Sequence, residues 1–186
     1  MKIYIKNMVS TRCKLIVKAE LKKLDIQYSV INLGEVEIAE DISPEDQIRL
    51  NVNLKKSGLE IITEKNSILI EKIKNLIIDR IHYSEDIIKV NFSTYLSEKL
   101  DYDYTYLANI FSEKQHITIE HYYLNHKIER VKELLLYNEL NVSEIANMLH
   151  YSSVAHLSNQ FKKMTGLTPS QYKHLKSKKR ALLEKV

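Results

Sequence analysis

The stretch Asn141–Tyr172, NVSEIANMLHYSSVAHLSNQFKKMTGLTPSQY, decides the fold, because its plan already stands 50 residues earlier at Asn91–Tyr122, NFSTYLSEKLDYDYTYLANIFSEKQHITIEHY. Set side by side without a gap, seven of the 32 positions are identical: Asn91/Asn141, Ser93/Ser143, Leu107/Leu157, Asn109/Asn159, Phe111/Phe161, Thr118/Thr168 and Tyr122/Tyr172. Others keep their character, such as Phe92/Val142, Ala108/Ser158 and Ile117/Leu167. Most matches fall where a helix needs a cap or a core contact. Each copy reads as a short capped helix, Asn91–Leu100 or Asn141–Leu149, then a turn of about three to four residues. A second helix follows, opened by Asp103 or Ser153, whose side-chain oxygens can accept the free amides of a first turn. In each second helix a Leu and a Phe four apart share one face. Between the copies, Thr118–Tyr137 forms a longer helix with Tyr122, Ile128, Val131, Leu134 and Leu135 as its buried stripe. About 20 helical residues span roughly 30 Å.

Composition supports long helices elsewhere. Only three Gly and two Pro are available to break them. The net charge is +4, but Lys173, Lys176, Lys178, Lys179, Arg180 and Lys185 against Glu184 concentrate +5 at one end. That basic tail suits phosphate contact. A single cysteine, Cys13, permits no intrachain disulfide and fits a reducing compartment. No apolar run has membrane-spanning length, and the alternation from Met1 to Lys6 is unlike a signal peptide. The expected location is the cytoplasm, with no membrane partner.

The first 65 residues have a different texture. Lys2–Asn7 alternates as a strand, and Thr11–Leu24 is a helix with Leu15, Ile16, Ala19 and Val17 toward one side. Gln27–Asn32 and Glu35–Glu40 are two strands around Gly34. Ser43-Pro44-Glu45-Asp46 opens a helix that stops at Gly58, and Leu59–Glu64 is a last strand. The order β-α-β-β-α-β is the ferredoxin-like arrangement. A helix capped by Ser67 follows through His82, with Ile70, Ile73, Ile77 and Ile81 as its stripe. It either connects two domains or pairs with a second copy in a homodimer. The expected class is thus an α+β ferredoxin-like domain at 1–65, a connecting helix at 66–83, an all-α double helix-turn-helix domain at 84–176 and a basic tail at 177–186.

The second copy carries a more specific pattern. Ile145-Ala146, His150-Tyr151-Ser152-Ser153, His156-Leu157-Ser158-Asn159-Gln160-Phe161-Lys162-Lys163 and Thr165-Gly166-Leu167-Thr168-Pro169-Ser170-Gln171-Tyr172 closely resemble the signature of the AraC/XylS transcription regulators. The resemblance covers about residues 84–176. It implies two helix-turn-helix units on one long helix, double-stranded DNA and RNA polymerase as partners, and no cofactor. It also implies that helices near 103–114 and 153–164 read two successive major grooves. The groove-facing candidates are Tyr104, Thr105, Ala108 and Asn109 in the first copy. In the second they are Val154, Ala155, His156, Ser158, Asn159 and Gln160. Asn and Gln suit adenine, and Thr, Ala and Val suit the thymine methyl. Lys162 and Lys163 would meet phosphates. The pattern departs where His150-Tyr151 replaces Gly-Phe, where Asn109 and Asn159 replace Arg, and where Ser112 replaces Lys. Without those arginines an A·T-leaning site is expected.

The N-terminal part resembles a heavy-metal-associated domain, whose loop carries M-x-C-x-x-C. Here the loop reads Met8-Val9-Ser10-Thr11-Arg12-Cys13, with Ser10 at the first ligand position. A lone thiol is a poor soft-metal site. The alternative of a metal- or redox-handling protein therefore rests on Cys13 alone. No phosphate loop, H-E-x-x-H or G-x-S-x-G is present, so an enzyme is not expected.

Overall fold

The computed structural model describes residues 1–83 and 91–175. The basic tail anticipated at 177–186 and the start of the anticipated 84–176 domain lie outside the described residues. The described chain packs as two units, one of residues 1–78 and 91–114, the other of residues 79–83 and 115–175. Among the described residues no helix is long and apolar enough to cross a membrane.

The first unit opens with a small sheet and its helices: β1 (Lys2–Lys6), α1 (Thr11–Lys23), β2 (Tyr28–Asn32), β3 (Glu35–Ile38), α2 (Pro44–Lys55) and β4 (Glu60–Ile62). The strands lie in the order β2-β3-β1-β4, each neighbouring pair antiparallel. Strand alternation turns Ile3 and Ile5 of β1 and Val36 and Ile38 of β3 into the core. Val17 and Leu21 from α1 and Leu50 and Leu54 from α2 close over them.

The buried face of α1 keeps Val17 and Ile16 of the expected side but not Leu15 or Ala19. Leu15 is 61% exposed and Ala19 is exposed, whereas Val17 and Leu21 are fully buried. Leu15, Ile16 and Val17 are consecutive, so periodicity alone leaves two faces open. Burying Val17 with Leu21 one turn on removes more apolar area than burying Leu15 with Ala19. For α2 the expected start is present: Ser43 Oγ accepts the Asp46 amide at 3.0 Å, Pro44 is the first helical residue, and Glu45 and Asp46 fill the first turn.

The next helix, α3 (Lys65–His82), begins two residues before the anticipated cap Ser67. Glu64 caps it instead, its carboxylate accepting the amides of Asn66 at 3.0 Å and Ser67 at 2.7 Å. The Ile70, Ile73, Ile77 and Ile81 stripe is buried as its spacing anticipates. Two polar residues of α3 tie the sheet down. Glu71 accepts the Asn7 amide at 3.1 Å and pairs with Lys74 at 2.8 Å. Asn75 Nδ2 donates to the Leu33 carbonyl at 3.2 Å.

That last bond explains Gly34. Its φ is +78°, and a Cβ there would stand 1.9 Å from Asn75 Nδ2. Gly34→Ala therefore strains the turn and displaces Asn75 together. A loss of about 1–3 kcal/mol in urea unfolding is expected, and an unchanged midpoint would show that the turn relaxes freely.

Two further helices, α4 (Phe92–Leu100) and α5 (Tyr104–Gln115), complete the first unit, with Leu96, Leu107, Ile110 and Phe111 buried. The second unit holds α6 (Ile119–Tyr137), α7 (Val142–Met148), α8 (Val154–Thr165) and a helical stretch at 169–175. Its core gathers Ile128, Val131, Leu134 and Leu135 from α6, Ile145 and Ala146 from α7, and Leu157 and Phe161 from α8. Tyr122, expected in the α6 stripe, is only half-buried at its edge.

With so few glycines, several helices end on other residues in the left-handed region. Asp101 closes α4 at φ 59°, Asn138 closes α6 at 58°, and His150 follows α7 at 53°. Asp and Asn tolerate this conformation best after Gly.

Candidate nucleic-acid interface

The two helix pairs are built alike but not identically. Asp103 Oδ1 accepts the amides of Thr105 at 2.8 Å and Tyr106 at 3.3 Å, so it caps α5. Ser153 Oγ accepts the His156 amide at 3.1 Å and caps α8. Asn141 and Glu144 form a reciprocal capping box at the start of α7, whereas Asn91 makes no side-chain cap bond to α4. The turns differ too. Three residues, 101–103, separate α4 from α5, and five, 149–153, separate α7 from α8. The left-handed residue comes ten positions after Asn91 but nine after Asn141. A gap-free repeat hides this one-residue offset.

The exposed face of α8 follows from its buried one. Leu157 and Phe161 are fully buried. At about 100° per residue, Asn159, Ala155, Lys163, Lys162 and His156 then fall within about 60° of the opposite side, Ser158 and Gln160 lie on its two flanks, and Val154 at the helix start stands nearer the buried side. Val154, Ala155, Asn159 and Lys162 are exposed and Ser158 is half-buried, while Lys163 continues the exposed edge past Asn159. His156 is exposed beside Lys163, and Gln160 is half-buried on the flank. The His156 ring is held by its own turn: Nδ1 lies 2.9 Å from Ser152 Oγ, and the ring meets Tyr151 edge-on at 5.4 Å.

On α5 the same geometry brings together Tyr104, Ala108, Thr105 and Asn109, with Leu107 and Phe111 buried behind them. Thr105 and Asn109 are exposed, and Tyr104 and Ala108 half-buried. The chemistry of the two faces differs at their middle. Where α8 has Lys162 and Lys163, α5 has Ser112 and Glu113. Ser112 Oγ donates to the Ala108 carbonyl at 2.7 Å, so it is turned back on its own helix. The α8 face therefore carries two cations suited to phosphate, and the α5 face carries none at the matching positions.

The αL turn at His150 was not legible as such. It occupies the glycine position of the pattern, and its positive φ gives the physical reason for glycine there. At the other end of α8, Gly166 at φ 78° caps the helix, its amide donating to the Lys162 carbonyl at 2.8 Å. Thr168 and Gln171 then exchange bonds at the start of the 169–175 stretch.

Cys13 lies at the first turn of α1, half-buried against the sheet core. Burial pushes its thiol up, but the Ser10 hydroxyl and the backbone at Val9, Ser10 and Cys13 outweigh that, leaving its pKa below the ordinary value. Among the described residues no group of three His, Cys, Asp or Glu is placed to hold a metal ion.

A pair of helices joined by a tight turn, the second presenting a polar and cationic face over a buried Leu-Phe pair, defines a helix-turn-helix module. Residues 96–174 match the family described as "Helix-turn-helix domain". The chain is 28% identical over 81 residues to the Bacillus subtilis (strain 168) HTH-type transcriptional regulator YtdP, which covers 44% of this chain and 10% of that protein. It is 30% identical over 78 residues to the Msm operon regulatory protein of Streptococcus mutans serotype c, covering 42% of this chain and 28% of that protein. The chain thus spans less than a third of either curated relative. Among solved structures, the C-terminal domain of AraT, a response regulator from Geobacillus stearothermophilus, superposes with a TM-score of 0.51 at 26% identity, over 60% of this chain and 88% of that one.

Proposed function

We propose that the chain is a sequence-specific DNA-binding transcription regulator of the AraC/XylS type. The observation that carries this is the face of α8, where Val154, Ala155, Ser158, Asn159 and Lys162 are presented together on a segment that matches the helix-turn-helix family. In this reading α8 enters a major groove, Asn159 hydrogen-bonds adenine, Ala155 and Val154 meet thymine methyls, and Lys162 and Lys163 hold phosphates. Tyr104, Thr105, Ala108 and Asn109 of α5 read a second groove. The repeat and the 19 residues of α6 support reading two grooves with one chain. His156, exposed beside Lys163, and Gln160 on the flank belong to the same proposed contact surface.

The N-terminal unit is read as ferredoxin-like, supported by the strand order β2-β3-β1-β4. The metal-handling alternative rests on one thiol and is not favoured. Domain limits at 1–65, 66–83 and 84–176, contact with RNA polymerase, and pairing of two copies are part of the same proposal.

Selection of bound DNA from a random pool tests it. An A·T-rich consensus spanning two helical turns is expected, and no sequence preference at moderate salt would sink the reading. Asn159→Ala should cost about 1–3 kcal/mol at a single base position and relax preference there. Lys162→Ala should weaken all sequences alike and lower the salt slope by about one. Lys162→Ala changing base preference instead would mean that α8 is oriented differently in the groove.

A further inference from the structure

The two helices that cover the sheet are apolar at the centre of their outer face. On α2, Ile48 is 64% exposed and Val52 is 53% exposed, and Leu15 is as open on α1. Among the described residues these are the three most exposed Val, Leu, Ile or Met side chains. At about 100° per residue, Ile48 and Val52 stand within about 40° of the side opposite the buried Leu50 and Leu54. Leu15 and Ala19 stand in the same way opposite Val17 and Leu21. The helices α1 and α2 pack on each other as well as on the sheet. Single exposed apolar side chains need no explanation, but a group of them on one layer marks a contact surface.

The pattern along α2 says what covers it. Glu45, Ile48, Val52 and Lys55 follow at spacings of three, four and three, the seam of a helix pair. That seam is self-complementary. In an antiparallel pair of α2 helices with a two-fold axis at the level of Leu50, Ile48 meets Val52 of the second copy and Glu45 meets its Lys55. The symmetry repeats both contacts. Arg49 lies 3.7 Å from Asp46, and Glu45 makes no ion pair among the described residues. Lys55 meets Glu60 at 2.9 Å, but both side chains are largely in solvent. Such a pair holds weakly and leaves the ammonium able to turn to a second carboxylate.

The same spacing on α1 gives Arg12, Leu15, Ala19 and Lys22, with a cation at each end. Two α1 helices would set Arg12 against Lys22 twice. Pairing α1 with α2 would match charges at one end and oppose them at the other. Only α2 against α2 matches at both ends. The isoleucine stripe of α3 does not offer a second copy a surface, since Ile70, Ile73, Ile77 and Ile81 are buried within the chain.

We propose that two copies of this chain pair through α2, antiparallel about Leu50, with Leu15 of each copy at the rim of the contact. This gives the pairing of two copies named under the proposed function its surface, and it needs no DNA. Helices of 12 and 13 residues are about 18–20 Å long, so the face measures roughly 20 Å each way. That is small beside a standard protein interface, and the pair is expected to form between about 10 µM and 1 mM.

Sedimentation equilibrium of the full chain without DNA, from about 1 µM to 1 mM, tests the assignment. A reversible monomer–dimer equilibrium is expected. Ile48→Asp and, independently, Val52→Asp should each weaken pairing about tenfold or more, and Leu15→Asp less. All three positions are exposed, and helical circular dichroism checks that each variant is folded. Glu45→Lys and Lys55→Glu should each weaken pairing about three- to tenfold, because each sets like charges together twice across the axis. Mixed in equal amounts, these two variants should pair with each other within about threefold of the unaltered chain, since both contacts are then opposite in charge. Contact through another face gives no such rescue. Monomer at every concentration would overturn the proposal. So would pairing that is unchanged in both the Ile48→Asp and Val52→Asp variants, or a mixture that pairs no better than its components. None of these readouts involves DNA, so failure here leaves the DNA reading standing.

Discussion

Phe161→Ala is expected to remove about 3–5 kcal/mol of stability from the second unit. The ring is fully buried among Ile128, Val131, Leu134, Ile145 and Leu157, and it meets Tyr172 edge-on at 5.5 Å. Truncation leaves a cavity that helices on three sides cannot close without moving. Small domains hold only about 5–15 kcal/mol in all, so such a loss takes up a large part of the total. The functional effect follows from geometry, since Phe161 and Leu157 are what turn Asn159 and Lys162 outward. DNA affinity should fall with stability, and cooling or a stabilising cosolvent should restore part of it. Phe111→Ala, equally buried in the first unit, should cost a similar amount of stability. Unfolding monitored by circular dichroism in urea gives both values. A loss below about 1 kcal/mol for Phe161→Ala would mean that the core is looser than its burial implies.

Glu71→Ala is the second large effect. Glu71 is 5% exposed, and its carboxylate holds both the Asn7 amide and Lys74, whose side chain is 13% exposed. Removing it leaves a mostly buried ammonium and a backbone donor unpaired, a change that typically costs about 3–5 kcal/mol. The sign reverses in part when both charges go. Glu71→Leu with Lys74→Leu should recover most of the loss, because a buried ion pair often contributes little net stability against an apolar pair of similar volume. Glu71→Gln should fall between, keeping an acceptor for Asn7 but no charge for Lys74. Denaturation of the three variants separates these cases. Equal losses in the single and double variants would show that the Asn7 bond, not the ion pair, carries the effect.

Which parts were legible in the sequence follows from which forces set them. Caps and core pairs are local. Asn141, Ser153, Thr168, Leu157 and Phe161 announced the second helix pair, and each stands where its spacing put it; the box that Glu144 closes with Asn141 is a finding of the structure. Ser43-Pro44 and Gly34 did the same for α2 and the β2–β3 turn. The buried side of α1 was not legible, because Leu15, Ile16 and Val17 are all apolar and only the sheet chooses among them. The start of α3 was missed since a Glu side chain took the capping role that Ser67 offered. In the repeat, identity at Asn91/Asn141 concealed that one copy of the first helix is longer and its turn shorter. The exposed face of α8 could be derived from Leu157 and Phe161 alone, and that derivation would have put Val154 nearer the buried side, where only its place in the first turn leaves it exposed. The cavity of the second unit lined by Arg80, Lys127 and His150 had no sequence signal at all. Arg80, Lys127 and His150 are far apart in the chain and become neighbours only through the packing of the second unit.

The left-handed helix ends have a consequence for engineering. Asp101, Asn138 and His150 each hold a conformation that glycine adopts without a Cβ penalty. A non-glycine residue there carries about 1 kcal/mol of local strain, least for Asn and Asp and most for His150. That strain sits at exposed turns, away from both the Leu157–Phe161 core and the outward arc of α8. The chain thus keeps a reserve of stability in the backbone of its helix ends, and an improved variant can draw on it one turn at a time.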